Sequence, residues 1–130
     1  MSFTDTVHSF AHRARLDLDK QMTTMAYNLK VDATAGIRYW GEALIRLDAR
    51  HKGWLALQKK LVDIKSEDKC VSLARSLLQE AKDEIVYGKF WFREGKSADI
   101  FARCVDLARV EGTADYIKEL EDLLLARKEA

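Results

Sequence analysis

Three features of the sequence predict an all-α fold. The 130 residues include no proline and only six glycines, so the usual helix breakers are nearly missing. Apolar residues recur at steps of three and four along most of the chain, the spacing that builds one face of a helix. No stretch alternates apolar and polar residues with the period of two that a half-buried strand requires. The length fits one domain, residues 1–130, which can bury roughly two thirds of its unfolded surface without a disulfide or metal. The expectation is a single-domain bundle of five or six helices, two of them long and antiparallel.

The first helix is the clearest. Phe3, Val7, Phe10, Ala14, Leu18, Met22, Met25 and Leu29 form a single stripe. Ser2 is placed to cap it, with Asp5 as the capping-box partner. The segment "VDATAG" then reads as a turn in which Asp32 or Thr34 caps the next helix. In that second helix Ile37, Trp40, Leu44, Leu47, Trp54 and Leu55 share a dry side. Arg38, Glu42, Arg46 and Arg50 share a wet one at i, i+4 spacing, which allows Glu42 to pair with both neighbouring arginines. Gly53 marks an end or a bend, after which helical patterning resumes to about residue 65.

Ser66 is the next cap. From 67 to 93, Val71, Leu78, Ile85 and Phe92 repeat every seven residues, with Ala74, Ala81 and Gly88 on a parallel line. This reads as one long helix that meets the first antiparallel. Its end is rich in aromatics: Tyr87, Phe90, Trp91 and Phe92. Gly95 then stops the helix and Ser97 caps a short one carrying Ile100, Phe101, Cys104, Leu107 and Ala108. Gly112 and Thr113 read as another stop and start. Ile117, Leu120 and Leu124 form the last stripe, which ends in Arg127 and Lys128 at the negative pole of the helix dipole.

Composition excludes several function classes. With 48% hydrophobic and 33% charged residues the chain is globular rather than disordered. A net charge of +1 gives no general attraction to polyanions or membranes. Charge is unevenly spread, however. Residues 1–65 carry 11 Lys/Arg against 7 Asp/Glu, and residues 66–130 carry 11 against 14. Cys70 and Cys104 form no CxxC pair, no apolar leader opens the chain and no membrane span is present, so a reduced cytoplasmic protein is expected.

Motifs of specific chemistry are weak. "GKS" at 95–97 lacks the glycine and the preceding strand of a phosphate-binding loop. "YGKFWFREGKSADIFARCVDLARV" is similar to a tetratricopeptide unit, but no second copy follows at the required period. His8 and His12, one helical turn apart with Asp5 beside them, form half of a zinc site and lack the other half. A solvated face is expected there, with no metal and no cofactor.

Two comparisons concern the stretch "RYWGEALIRLDARHKGW". Arg46 and His51 have an R-x4-H spacing that resembles the motif of HEPN ribonucleases, in which the two side chains act together on a phosphate. On a helical wheel Arg46 falls on the wet side and His51 near the dry side, so no catalytic set is expected. Arg38, Tyr39, Arg46, Arg50, Lys52, Lys59 and Lys60 form a basic helix face, with arginines spaced to follow a phosphate backbone and a tyrosine to stack on a base. Size, helices and a basic side resemble the small all-α subunits of CRISPR effector complexes in architecture alone. The first expectation is a non-catalytic interaction or adaptor subunit of a larger assembly. It would contact a protein partner or a second copy through Tyr87, Phe90, Trp91 and Phe92. A nucleic-acid-binding subunit is the alternative, and a HEPN-like ribonuclease the third.

Overall fold

The computed structural model describes residues 2–93 and 100–129, with the side chains at 35, 38–40, 86–93, 100–102 and 128–129 outside the description. Among the described residues it is all helical: α1 (Phe3–Val31), α2 (Ala33–Leu61), α3 (Glu67–Arg93) and α4 (Ile100–Glu129). Caps fall where the sequence places them. The Asp5 N–H donates to the Ser2 hydroxyl at 3.1 Å, the Thr34 N–H to the Asp32 carboxylate at 3.1 Å, and the Lys69 N–H to the Ser66 hydroxyl at 3.4 Å.

The expected five or six helices are four, because two glycines read as breaks are helical. Gly53 lies inside α2 and Gly112 inside α4. Each is needed for close approach. A Cβ on Gly112 would stand 2.1 Å from the Arg46 carbonyl oxygen and 2.7 Å from the Ala49 Cβ. A Cβ on Gly53 would stand 2.5 Å from the Tyr116 ring. The missing side chains let α4 lie directly on α2.

Short connectors at Asp32 and at 62–66 reverse the chain after α1 and after α2. Phe10 stacks on Trp54 at 4.7 Å, so α1 and α2 are antiparallel about the Asp32 turn. Arg46 meets Asp115 and Arg50 meets Glu119, so α2 and α4 are parallel. The expected antiparallel meeting of α1 and α3 is corrected. Their N-termini share one end of the bundle, where the Phe3 N–H donates to Glu67 at 2.6 Å and Thr4 lies 3.8 Å from the Cys70 sulfur. Because α2 carries the chain back to where α1 begins, α3 starts beside α1 and runs the same way. Its main neighbour is α4, which it meets antiparallel through Lys82–Glu121 and Glu67–Arg127.

The core joins Phe3, Val7, Ala11 and Ala14 of α1 to Trp54, Leu57 and Leu61 of α2, Cys70 and Ala74 of α3, and Tyr116, Ile117, Leu120 and Leu124 of α4. Trp54 is its largest fully buried side chain. On α1 the buried stripe ends at Leu18, while Met22, Tyr27 and Val31 are exposed, as is Ile37 across the turn. The far part of α1 therefore carries less of the core than its apolar patterning predicts. No helix among the described residues is long and apolar enough to cross a membrane.

Candidate functional site

Helix α2 is the hub of the molecule, and each of its three faces has a different chemistry. Toward α4 it presents Arg46, Arg50 and Trp54. Arg46 forms a two-pronged pair with Asp115 at 2.6 and 2.9 Å and reaches Glu111 at 3.3 Å. Arg50 is held by Glu119 and, at 2.9 Å, by Asp17 of α1. Glu119 also accepts the indole N–H of Trp54 at 3.0 Å. The Arg50 side chain is only 12% exposed, so its charge depends on these partners. Burial pulls its pKa down, but the hydrogen bonds to Glu119 and Asp17 raise it overall. The hydrogen bond to Asp115 likewise raises that of Arg46.

The expectation that Arg50 faces water is thus corrected, and Arg46 takes its carboxylates from α4 rather than from Glu42. The helical wheel located these arginines opposite Ile37 and Leu44, and α4 covers that side of the helix. Their guanidinium groups are occupied by carboxylates that a phosphate would have to displace. Of the other residues on the proposed strand-binding face, Lys52, Lys59 and Lys60 are exposed. Lys52 pairs with Asp48 at 2.8 Å. Arg38 and Tyr39 lie outside the described side chains, as do the expected partner contacts Tyr87, Phe90, Trp91 and Phe92, and Trp40, expected in the core.

Toward α1, all three histidines of the chain come together. His8, His12 and His51 line an open cleft of about 360 Å³ with Arg15, Leu55 and Gln58. The Gln58 amide meets His8 Nδ1. Burial, followed by the nearby Arg15 guanidinium, lowers the pKa of His51, while Asp48 and Asp19 oppose the shift. Arg46 points to α4 and His51 to this cleft, so the R-x4-H pair does not converge. Nor, among the described residues, is any group of three or more His, Cys, Asp or Glu placed to hold a metal ion.

Toward α3, the third face is open. Helices α2 and α3 are consecutive in the chain, yet a groove of about 420 Å³ separates them, with α4 as its floor. Ala49, Gly53 and Ala56 line the α2 wall, Leu77 and Ala81 the α3 wall, and the buried Tyr116 the floor. Burial pushes the Tyr116 phenol up to about 12, so it is neutral across the physiological range. Lys52 and Lys60 edge the α2 side, and Glu80 and Glu84 the α3 side.

Sequence reasoning missed this groove. Its signal was the small-residue line at 49, 53 and 56, which becomes informative only once α2 is known to be unbroken. The histidine cleft was missed for a related reason. An antiparallel hairpin brings together residues at similar distances from its turn, and that relation carries His51 to the His8–His12 side. With the geometry in hand, comparison with known proteins adds no relative: no family model, curated protein or solved structure matches this chain.

Proposed function

We propose that the protein is a non-catalytic α-helical interaction subunit of a larger assembly. One observation carries this reading: two consecutive helices leave an apolar-floored groove between them, although each packs on α4. A contiguous apolar surface rimmed by polar residues marks a place where another molecule binds. The most concentrated set of polar contacts, around Arg46 and Arg50, is instead committed to holding α4 against α2. From their sequence position Tyr87, Phe90, Trp91 and Phe92 belong to the proposed contact surface, on the continuation of α3 beyond Glu84.

The test is affinity isolation of the tagged protein from its own cells, with and without nuclease. A protein partner retained after nuclease is the expected result. A partner lost on nuclease treatment would transfer the assignment to the strand-binding reading. Charge reversal at the exposed Lys59 and Lys60 would then weaken a salt-dependent interaction. A strict monomer with no partner in either arm would end both.

A further inference from the structure

We infer that the groove between α2 and α3 seats a partner helix about three turns long. Its inner face carries small apolar side chains, its α2-facing edge is acidic and its α3-facing edge is basic. This rests on the interaction-subunit reading and names the partner's chemistry.

Shape argues for a helix. The groove-lining residues of α2 run from Asp48 to Lys60, roughly 18 Å at the α-helical rise. The walls are themselves helices, and Ala56 and Ala81 keep their side chains short, which lets a third helix approach closely. On α4 the neutral Tyr116 lines the floor, with Thr113 and Arg109 beside it.

Charge gives the partner its edges. Lys60 and Lys52 stand on one rim, and Lys52 is held by an exposed i, i+4 pair with Asp48. Such a pair is weak in water and exchanges easily for a new acidic partner. Glu80 and Glu84 stand on the opposite rim and are exposed. A helix with like charge on both edges would meet repulsion on one side, so the rims select polarity as well as fit.

A second copy of this chain is a poor occupant. Among the described residues, its exposed large apolar side chains are scattered: Leu16, Met22, Tyr27 and Val31 on α1, Ile37 on α2, Val62 in a turn, and Leu107 and Leu125 on α4. On α1, Tyr27 and Val31 lie one turn apart, too short a stripe for a three-turn seat.

The experiment uses the full chain as bait for a displayed library of helix-forming peptides of about 15 residues. Binding of the selected peptides is then measured against the parent protein, Ala56→Trp and Lys52→Glu/Lys60→Glu. Ala56 is exposed and lines the groove, so a tryptophan there blocks it, and circular dichroism verifies that the variant folds. The expected peptides have a small apolar face, one acidic edge and one basic edge. Their affinity falls about tenfold or more in Ala56→Trp, and also falls in the lysine reversal. Peptides that bind Ala56→Trp as well as the parent overturn the inference. So does a dimer that Ala56→Trp splits, or a co-purifying small molecule that it releases. If Ala56→Trp still retains a nuclease-resistant protein partner from cells, the interaction reading stands and the groove helix falls.

Discussion

Two faces of α2 lie side by side and differ in almost everything. The face on α4 is closed: Gly112 rests on the Arg46 carbonyl, Trp54 is fully buried, and Arg46 and Arg50 clasp three carboxylates of α4 between them. The face toward α3 is open: Ala56 looks across a groove at Leu77 and Ala81, beside the Tyr116 ring that packs on Gly53. Both faces use small residues, to opposite ends. On the α4 side, absent side chains allow contact between neighbouring backbones. On the α3 side, Ala56 and Ala81 leave room that no described side chain fills. A small residue in a helix therefore has no fixed meaning until its neighbour is known, and substitutions on the two faces should behave differently.

Gly112→Ala breaks the closed face and is the largest effect expected. In an isolated helix the change would be favourable by about 1 kcal/mol. Here the added methyl would stand 2.1 Å from a backbone oxygen, which no rotamer change can relieve. Overpacking costs about 1–3 kcal/mol where side chains can yield, and more where backbone must move. The clash wins, and chemical denaturation should show a net loss of at least about 2 kcal/mol. A variant as stable as the parent would mean that α4 does not lie on α2 as described.

Glu119→Ala comes next. It removes the partner of Arg50 and of the Trp54 indole together. Breaking a fully buried pair costs about 3–5 kcal/mol, and an exposed pair contributes about 0–1. The Glu119 side chain is 26% exposed and Asp17 still holds Arg50, so a loss of about 2 kcal/mol is expected. Glu119→Gln keeps an acceptor for the indole and should lose less. Equal losses would show that charge, rather than the hydrogen bond to Trp54, carries the contact.

A smaller effect sharpens the contrast from the α1 side of α2. The pKa of His51 is lowered in the folded state by burial and Arg15, so the unfolded chain takes up the proton first as pH falls. Stability from neutral His51 is complete above the ordinary histidine pKa of about 6.5 and is lost as pH drops through the lowered value. Denaturation midpoints should fall between pH 7 and pH 5, and His51→Gln should flatten that slope. A slope that the substitution leaves unchanged would assign the acid sensitivity to other groups.

How much of this was legible in advance differs by level. Fold class, the three caps at Ser2, Asp32 and Ser66, and burial of Trp54 follow from local patterns, because a cap or a stripe needs only its own helix. Helix number did not, because Gly53 and Gly112 carry the same local signal whether they end a helix or admit a neighbour; only the Tyr116 ring and the Arg46 carbonyl decide. The roles of Arg46 and Arg50 were hidden for the same reason. Their i, i+4 spacing is that of a solvated face, and the carboxylates that claim them sit on other helices, 33 to 69 residues away.

The smallest effect tests the comparison most directly. Ala56→Leu adds three carbons to the open face, where Gly112→Ala adds one to the closed face. If the groove is space that the fold does not use, the leucine lies over Leu57 and Tyr116 without displacing either, and stability changes by less than about 0.5 kcal/mol. Burying part of an added apolar side chain against that floor favours the gain side of this range. A loss comparable to that of Gly112→Ala would mean that α3 closes on α2 in solution. The two faces would then be alike, and the seat for a partner helix would be gone.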